Sequence, residues 1–572
     1  MSQNSKYPAY RELTISAMVL GIILGSIMTS AFVYIGLKLG FTLGGSTVAA
    51  IMGFAILRGV LKKGTIVENN INQTIASGIN TASAGVAFTL PALFLMSVKN
   101  PEYANFDILP FLFAGTAGSF LGIVLIIPLR KQMLEFERLR FPTGIAVSKL
   151  LKSPGAGIHQ AKMLGIGFGV AALFHTLEQL GHAPSEVDLG SPLGIASHIP
   201  FIVALSFANF GAGLLSGKGG LPFALGGVLA WWVISPIAVG QGWVSGDPAH
   251  SGLVMDQVYG SMLRPLGIGM LIGGAIAGVV LSFPALKSAI QSLSAASKMK
   301  GGSGGSDELG SRALYTGLVA AVIVLFIAAM SVEGVSTLQA VGISVVGTLW
   351  LGLAGLIVAQ ATGMTDISPL SGLALIAVTL MFFLTSGNVI AAVMLGVAVC
   401  IGIGQCADMM QDLKTGHLVG STPKRQQIAQ FLVAWMGVPI AIFTVYLLWG
   451  SAENPGFGPG TDLPAPQAGA LSGIIESLVG GDVALDKYAA GAGLGGALAF
   501  YPIGGLGVLV GLAMYLPFSI TLGYGIGCVV SIYLGKKMGN RWMGETLIPL
   551  AAGFIVGEAL TNLTAVLIRL AS

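Results

Sequence analysis

A chain of 572 residues that is 54% hydrophobic and only 9% charged carries far less charge than the roughly 25% of an ordinary soluble domain. With a mean hydropathy of +0.85 and a net charge of +4, the composition speaks against a soluble enzyme, a nucleic-acid binder, a disordered chain or a disulfide scaffold. It describes an all-α polytopic membrane protein embedded in a lipid bilayer, and the unalternating apolar runs disfavour a β-barrel.

From the N-terminus, a polar lead up to Glu12 enters an apolar run with no small-residue cleavage site, read as an uncleaved first span. Candidate spans follow at 13–36, 41–61, 74–97, 108–129, 163–181, 199–216, 221–240 and 262–284. A second group falls at 313–331, 337–360, 367–385, 388–405, 428–450, 488–516, 517–535 and 545–569. Several are short or Gly-interrupted, so we expect about 14–16 transmembrane helices with re-entrant or broken pieces, one of them within 466–487. The Gly/Ser-rich, basic stretch 287–312 reads as a cytoplasmic flexible linker. It divides the chain into related halves, 1–286 and 313–572. Lys/Arg clusters after alternate spans (Arg58 to Lys63, Arg130 to Lys152, Lys414 to Arg425) oppose acidic loops with Glu102, Asp107, Glu186 and Asp188. This predicts a cytoplasmic N-terminus.

Within the apolar runs, 65–95 is the most polar. At 100° per residue, Asn69, Asn70, Gln73, Thr74, Ser77 and Asn80 share one half of a helix, with Ile71, Ile75 and Ile79 opposite. Such a face meets a partner helix, water or a substrate. Thr65 and Glu68 have capping-box spacing, so Glu68 is either a helix cap or a proton- or cation-accepting carboxylate. Asp366 has the position of a helix cap near 367. Asp408 and Asp412, at i,i+4 beside Gln411, form either a solvated helix end or a polar mouth. Glu558 lies deep in the last span with Asn562 at i+4, and no cation stands near it in sequence. An ionisable group at that depth is a candidate proton carrier whose neutral form burial would favour; a structural pairing is the competing reading. The pieces 491–496 and 504–507 are Gly-rich without a Walker lysine and read as close packing or helix breaks. Tyr501, Tyr515 and Tyr524 near them line a cavity or anchor at the interface. Cys400, Cys406 and Cys528 match no metal or redox spacing, and His175 and His182 lack a third ligand.

The run Glu68-Asn69-Asn70-x-x-Gln73-Thr74-Ile-Ala-Ser77 resembles the first signature of the oligopeptide transporter (OPT) superfamily. Leu139-Arg-Phe-Pro142-Thr143-Gly144 is similar to that family's basic Pro-Ser/Thr-Gly turn. Ala407-Asp408-Met-Met-Gln411-Asp412-Leu-Lys414-Thr415-Gly416 resembles its Asp-x-x-Gln-Asp-x-Lys-Thr-Gly run, as found in the Yellow Stripe-Like branch of metal–chelate carriers. The resemblance implies a bacterial member in the cytoplasmic (inner) membrane: a secondary symporter importing small peptides or peptide-like metal chelates, with protons as partners. A channel and an intramembrane enzyme are the rival classes. The expected substrate contacts are Asn69, Asn70, Gln73, Ser77, Asp408, Gln411, Asp412, Tyr501 and Tyr524, and the proton-coupling candidates are Glu558, Glu68 and Asp366. No cofactor, nucleic acid or protein-held metal is expected, and assembly as a homodimer is left open.

Overall fold

The computed structural model describes residues 11–571 apart from 42–44, 55, 58–60, 62–63, 153–155, 197, 245–256, 282–307, 366–367, 369, 481–483 and 502–504. Most of the linker expected at 287–312, and hence the division into halves, lies outside the described residues. The described chain is helical throughout its apolar segments. Its strands are Glu186–Asp188 and Ile202–Ala204, paired antiparallel with Glu186 opposite Ala204.

Ten helical runs among the described residues are long and apolar enough to cross a membrane. They include Ile15–Leu39, Ile66–Ser97, Leu109–Leu129, Val389–Val419 and Pro423–Trp449. The Phe518–Arg569 run of 52 residues is too long for one crossing of about 30 Å. It breaks at Gly539, whose φ of 81° is non-helical. The expected total of 14–16 also counted half-length pieces. Gly45–Phe54 and Leu506–Tyr515, at 10 residues each, span only about 15 Å. The expected 488–516 segment is two helices, Leu485–Ala499 and Leu506–Tyr515. Gly505 (φ 71°) stands at the start of the second, a backbone state that glycine adopts without strain. Pro466–Val479 is a separate buried helix of 14 residues, ended by left-handed Gly480.

Val389–Val419 is the central helix. Its 31 residues reach about 46 Å. Asn388 caps its start by accepting from the Ala391 N–H at 3.0 Å, and Gly420 (φ 85°) closes its end. Nearly every residue from Val389 to Gly416 is buried, so neighbours cover all its faces. Glycine makes this contact close: a Cβ on Gly118 or Gly122 would collide with the Ala398 or Gly402 carbonyl. The Gly-rich 491–496 piece works similarly, since Gly491 and Gly495 lie on the Leu266 and Met270 carbonyls. Close backbone approach of this kind drives helix association where lipid leaves no hydrophobic gain.

Candidate functional site

The polar helix Ile66–Asn80 begins with a complete capping box. The Thr65 N–H donates to Glu68 Oε2 at 2.6 Å, and the Glu68 N–H donates to Thr65 Oγ1 at 3.1 Å. Glu68 is thus engaged at the helix start. Beyond it the amide and hydroxyl face is buried: Asn69, Asn70, Gln73, Thr74 and Ser77 are at most 3% exposed.

This face meets the two carboxylates of the central helix. Asp412 accepts from Gln73 Nε2 and from Ser46 Oγ (3.1 Å), and Asp408 accepts from Ser77 Oγ (2.6 Å). Ser46 and Ser77 share a hydrogen bond of 2.8 Å. Three helices, Gly45–Phe54, Ile66–Asn80 and Val389–Val419, therefore converge on one pair of carboxyls, Asp412 fully buried and Asp408 partly so. A fourth, Pro423–Val433, closes the cluster: Gln426 Nε2 donates to Thr74 Oγ1 (3.0 Å) and to the Asp412 carbonyl (2.9 Å). Gln430 donates to Gln405, which donates to the Gly78 carbonyl, each at 2.8 Å. Asn70 donates to Ser421 at 3.0 Å and Asn69 to the Ala50 carbonyl at 3.3 Å. Among the described residues, Asp408 Oδ2, Asp412 Oδ2, Gln73 Oε1 and Asn70 Oδ1 are buried without a partner. Buried acceptors left over are costly, and this cluster holds more acceptors than donors. It is chemically ready for a cationic or hydrogen-bond-donating ligand.

The Pro142–Lys152 helix carries the second motif onto the third. Thr415 Oγ1 donates to the Gly144 carbonyl at 3.1 Å, and a Cβ on Gly144 would lie 2.6 Å from the Gln411 carbonyl. Gln411 is half-buried against this turn. Tyr524 is buried elsewhere, in an aromatic group with Phe41 and Phe223. Tyr501 is 59% exposed. Neither tyrosine joins the carboxyl cluster among the described residues: the Tyr524 helix packs on Phe207–Ser216, away from that pair. Asp366 lies outside the described residues.

Glu558 is not the isolated carboxyl that its sequence neighbours imply. Lys38 Nζ stands 2.7 Å from Oε1, and His175 Nε2 lies 2.8 Å from Oε2, out of line for a hydrogen bond. Ser206 Oγ donates at 2.9 Å and the Ala208 N–H at 2.8 Å. Ser206 is the N-cap of the Phe207–Ser216 helix, so a helix N-terminus also faces the carboxylate. Asn562 donates to Tyr34, whose hydroxyl donates to Glu558 at 3.4 Å. The first helix, Ala156–Gln179, Phe207–Ser216 and the last helix meet on this one residue. The sequence reading missed Lys38, His175, Ser206 and Tyr34 here, and Ser46, Gln405, Gln426 and Gln430 at the carboxyl pair. Only the Gln426/Gln430 spacing of i,i+4 was a readable signal.

A family model described as OPT oligopeptide transporter protein matches residues 12–568. A Haemophilus influenzae protein whose name places it among oligopeptide transporters is 28% identical, with 94% of this chain and 93% of that one aligned. A protein of Oryza sativa subsp. japonica named for metal-nicotianamine transport is 26% identical over 84% of this chain and 73% of its own. The metal-nicotianamine transporter YSL2 of Arabidopsis thaliana is 24% identical over 99% of this chain and 94% of its own.

Proposed function

We propose, from the premise that the chain belongs to the OPT oligopeptide transporter family, that it is a secondary symporter. It imports small peptides or peptide-like metal chelates with protons across a bacterial cytoplasmic membrane. Its relatives are named as transporters, not enzymes. The observation that carries the reading is the inward-held Asp408–Asp412 pair, Asp412 fully buried, fed by hydroxyls and amides from three further helices. Amide donors and acceptors match a peptide backbone, and the paired carboxyls match its amino group. Asn69, Asn70, Gln73 and Ser77 are the contacts we assign to substrate beside that pair.

Proton exchange is assigned to Glu558 with His175 and Lys38. A proton delivered to Glu558 cancels its ion pairs and loosens the first helix from the last. Glu68 remains with its helix cap. Each pH unit supplies about 1.4 kcal/mol per proton, enough for roughly tenfold accumulation.

The test is uptake of labelled trialanine by purified protein in proteoliposomes under an inward proton gradient. Accumulation above the external concentration, abolished by a protonophore, is expected. Flux that only equilibrates would mark a channel, and cleavage of the peptide an intramembrane enzyme.

A further inference from the structure

We propose that Arg264 is the centre of a carboxylate-recognition site, formed with Tyr515 and Tyr488, that binds the carboxylate end of a peptide or the carboxyl groups of a peptide-like chelate. It deepens, and rests on, the reading of the chain as a peptide or chelate carrier.

Arg264 opens the Arg264–Leu281 helix directly after a π-helical turn, Tyr259–Leu263, within an apolar run long enough to cross a membrane. Its guanidinium carbon lies 6.0 Å from the centre of the Tyr515 ring. Its Nε is buried and has no acceptor, and no carboxylate pairs with it among the described residues. The acidic residue on the neighbouring Pro466–Val479 helix, Glu476, is engaged by Lys99 at 2.8 Å. A guanidinium in an apolar span with no carboxylate in contact among the described residues is costly.

The bland alternative is that Arg264 caps a broken helix end. The Leu506–Tyr515 helix does stop here: Leu516 is extended and Pro517 precedes the next helix. Two of the carbonyls at that break are already bound, however. Trp231 Nε1 donates to the Leu516 carbonyl at 3.1 Å, and the Tyr259 hydroxyl donates to the Tyr515 carbonyl at 2.9 Å. Trp231 and Tyr259 are themselves stacked, 6.2 Å apart and 12° from parallel.

The tyrosines add donors. The Tyr515 hydroxyl is buried without a partner. It occupies the space where a side chain on Gly469 would stand, and the Tyr488 hydroxyl lies 2.8 Å from where a Cβ on Gly473 would be. Gly469 and Gly473, four residues apart on one helix, thus make room for two phenols. A guanidinium fork with phenolic donors fits a carboxylate, which accepts two parallel bonds from arginine.

The experiment measures melting of the full-length purified protein in detergent with trialanine, trialanine amide, iron(III)–nitrilotriacetate or inorganic phosphate. Either carboxylate ligand should raise the melting temperature by about 3 °C or more, and the amide should not. Which carboxylate acts distinguishes peptide from chelate. Arg264→Gln should melt no lower than the wild type without ligand, because among the described residues no carboxylate loses an ion-pair partner, and should lose the ligand shift. Tyr515→Phe keeps the fold and ring and should weaken the shift. Equal shifts from acid and amide, no shift from either carboxylate, a shift from phosphate alone, or full shifts in both variants would overturn the site. Uptake in proteoliposomes separates the two readings. Accumulation of trialanine and its amide alike leaves the transporter standing and removes the site. An acid-selective shift without accumulation does the reverse.

Discussion

Gln73 and Asp412 hold each other across two helices, and both are fully buried. Gln73→Leu leaves Asp412 with Ser46 as its side-chain donor, at a cost of about 1–3 kcal/mol for a poorly satisfied buried group. We expect Gln73→Leu and Asp412→Asn to reach the membrane yet lower trialanine uptake at least tenfold. Normal uptake by both would remove the carboxyl pair from the pathway. Lys38 and Glu558 make the opposite kind of prediction, one about stability. Lys38→Met strips the ammonium from a carboxylate that is fully buried, and breaking a buried pair from one side costs about 3–5 kcal/mol. Adding Glu558→Gln to Lys38→Met should restore much of the lost melting temperature. A double variant as unstable as the single one would mean that Ser206, Ala208 and His175, not Lys38, govern that carboxylate. The restored double variant also reads coupling: it should exchange substrate in counterflow while losing uphill uptake driven by pH.

The polar helix was legible in sequence because its Asn, Gln and Ser residues recur at helical spacing inside an apolar run. The Asp408–Asp412 pair was legible because four residues is one helical turn. Partner choice was not legible. Ser46 looks like any small polar residue of an apolar segment, and Lys38 looks like a lysine marking the end of a span. Only the tertiary fold brings Lys38 to Glu558, 520 residues along the chain, and Ser206 to it across 352. Tyr501 and Tyr524 stand apart from the carboxyl pair for the same reason, since proximity to a Gly-rich break says nothing about which helices share that break. Glu68 shows a local signal correctly limiting a global one, because its carboxylate serves the backbone it starts. Glu68→Ala should therefore lower stability in parallel with Thr65→Ala, each by about 0.5–2 kcal/mol, read as a lower melting temperature. It should leave pH-driven accumulation intact; loss of coupling with unchanged stability would return Glu68 to the list of proton carriers. Packing glycines are stricter. Gly118→Val and Gly122→Val both place a side chain on the backbone of the central helix, and neither should yield folded protein on detergent extraction.

At the scale of the molecule, the described ion pairs fix which ends of the helices lie together. Arg130 Nε pairs with Glu308 at 2.6 Å, and its guanidinium also pairs with Glu135 at 2.8 Å. The segment that begins at Glu308 therefore sits beside the basic turn that follows Leu109–Leu129, and the Leu309 N–H is held there by Gln427 at 2.9 Å. At the other end of the bundle, Lys99 pairs with Glu476. Leu109–Leu129 is long and apolar enough to cross between Glu102 and Arg140; we propose that Ala156–Gln179 is the return crossing before Glu186, which would put the two acidic loops on one face and the basic turn opposite. Retention of Lys and Arg on the cytoplasmic side then orients the whole chain. Single cysteines at exposed Arg140, Glu102 and Glu186, and at Ser303 in the linker, test this with a membrane-impermeant maleimide. The native Cys400, Cys406 and Cys528 are buried and contribute little background. Glu102→Cys and Glu186→Cys should label in right-side-out vesicles, whereas Arg140→Cys and Ser303→Cys should label only in inverted ones. Reversal of all four would invert the molecule while preserving its packing. Labelling of Arg140→Cys and Ser303→Cys from opposite sides would contradict the Arg130–Glu308 pairing itself.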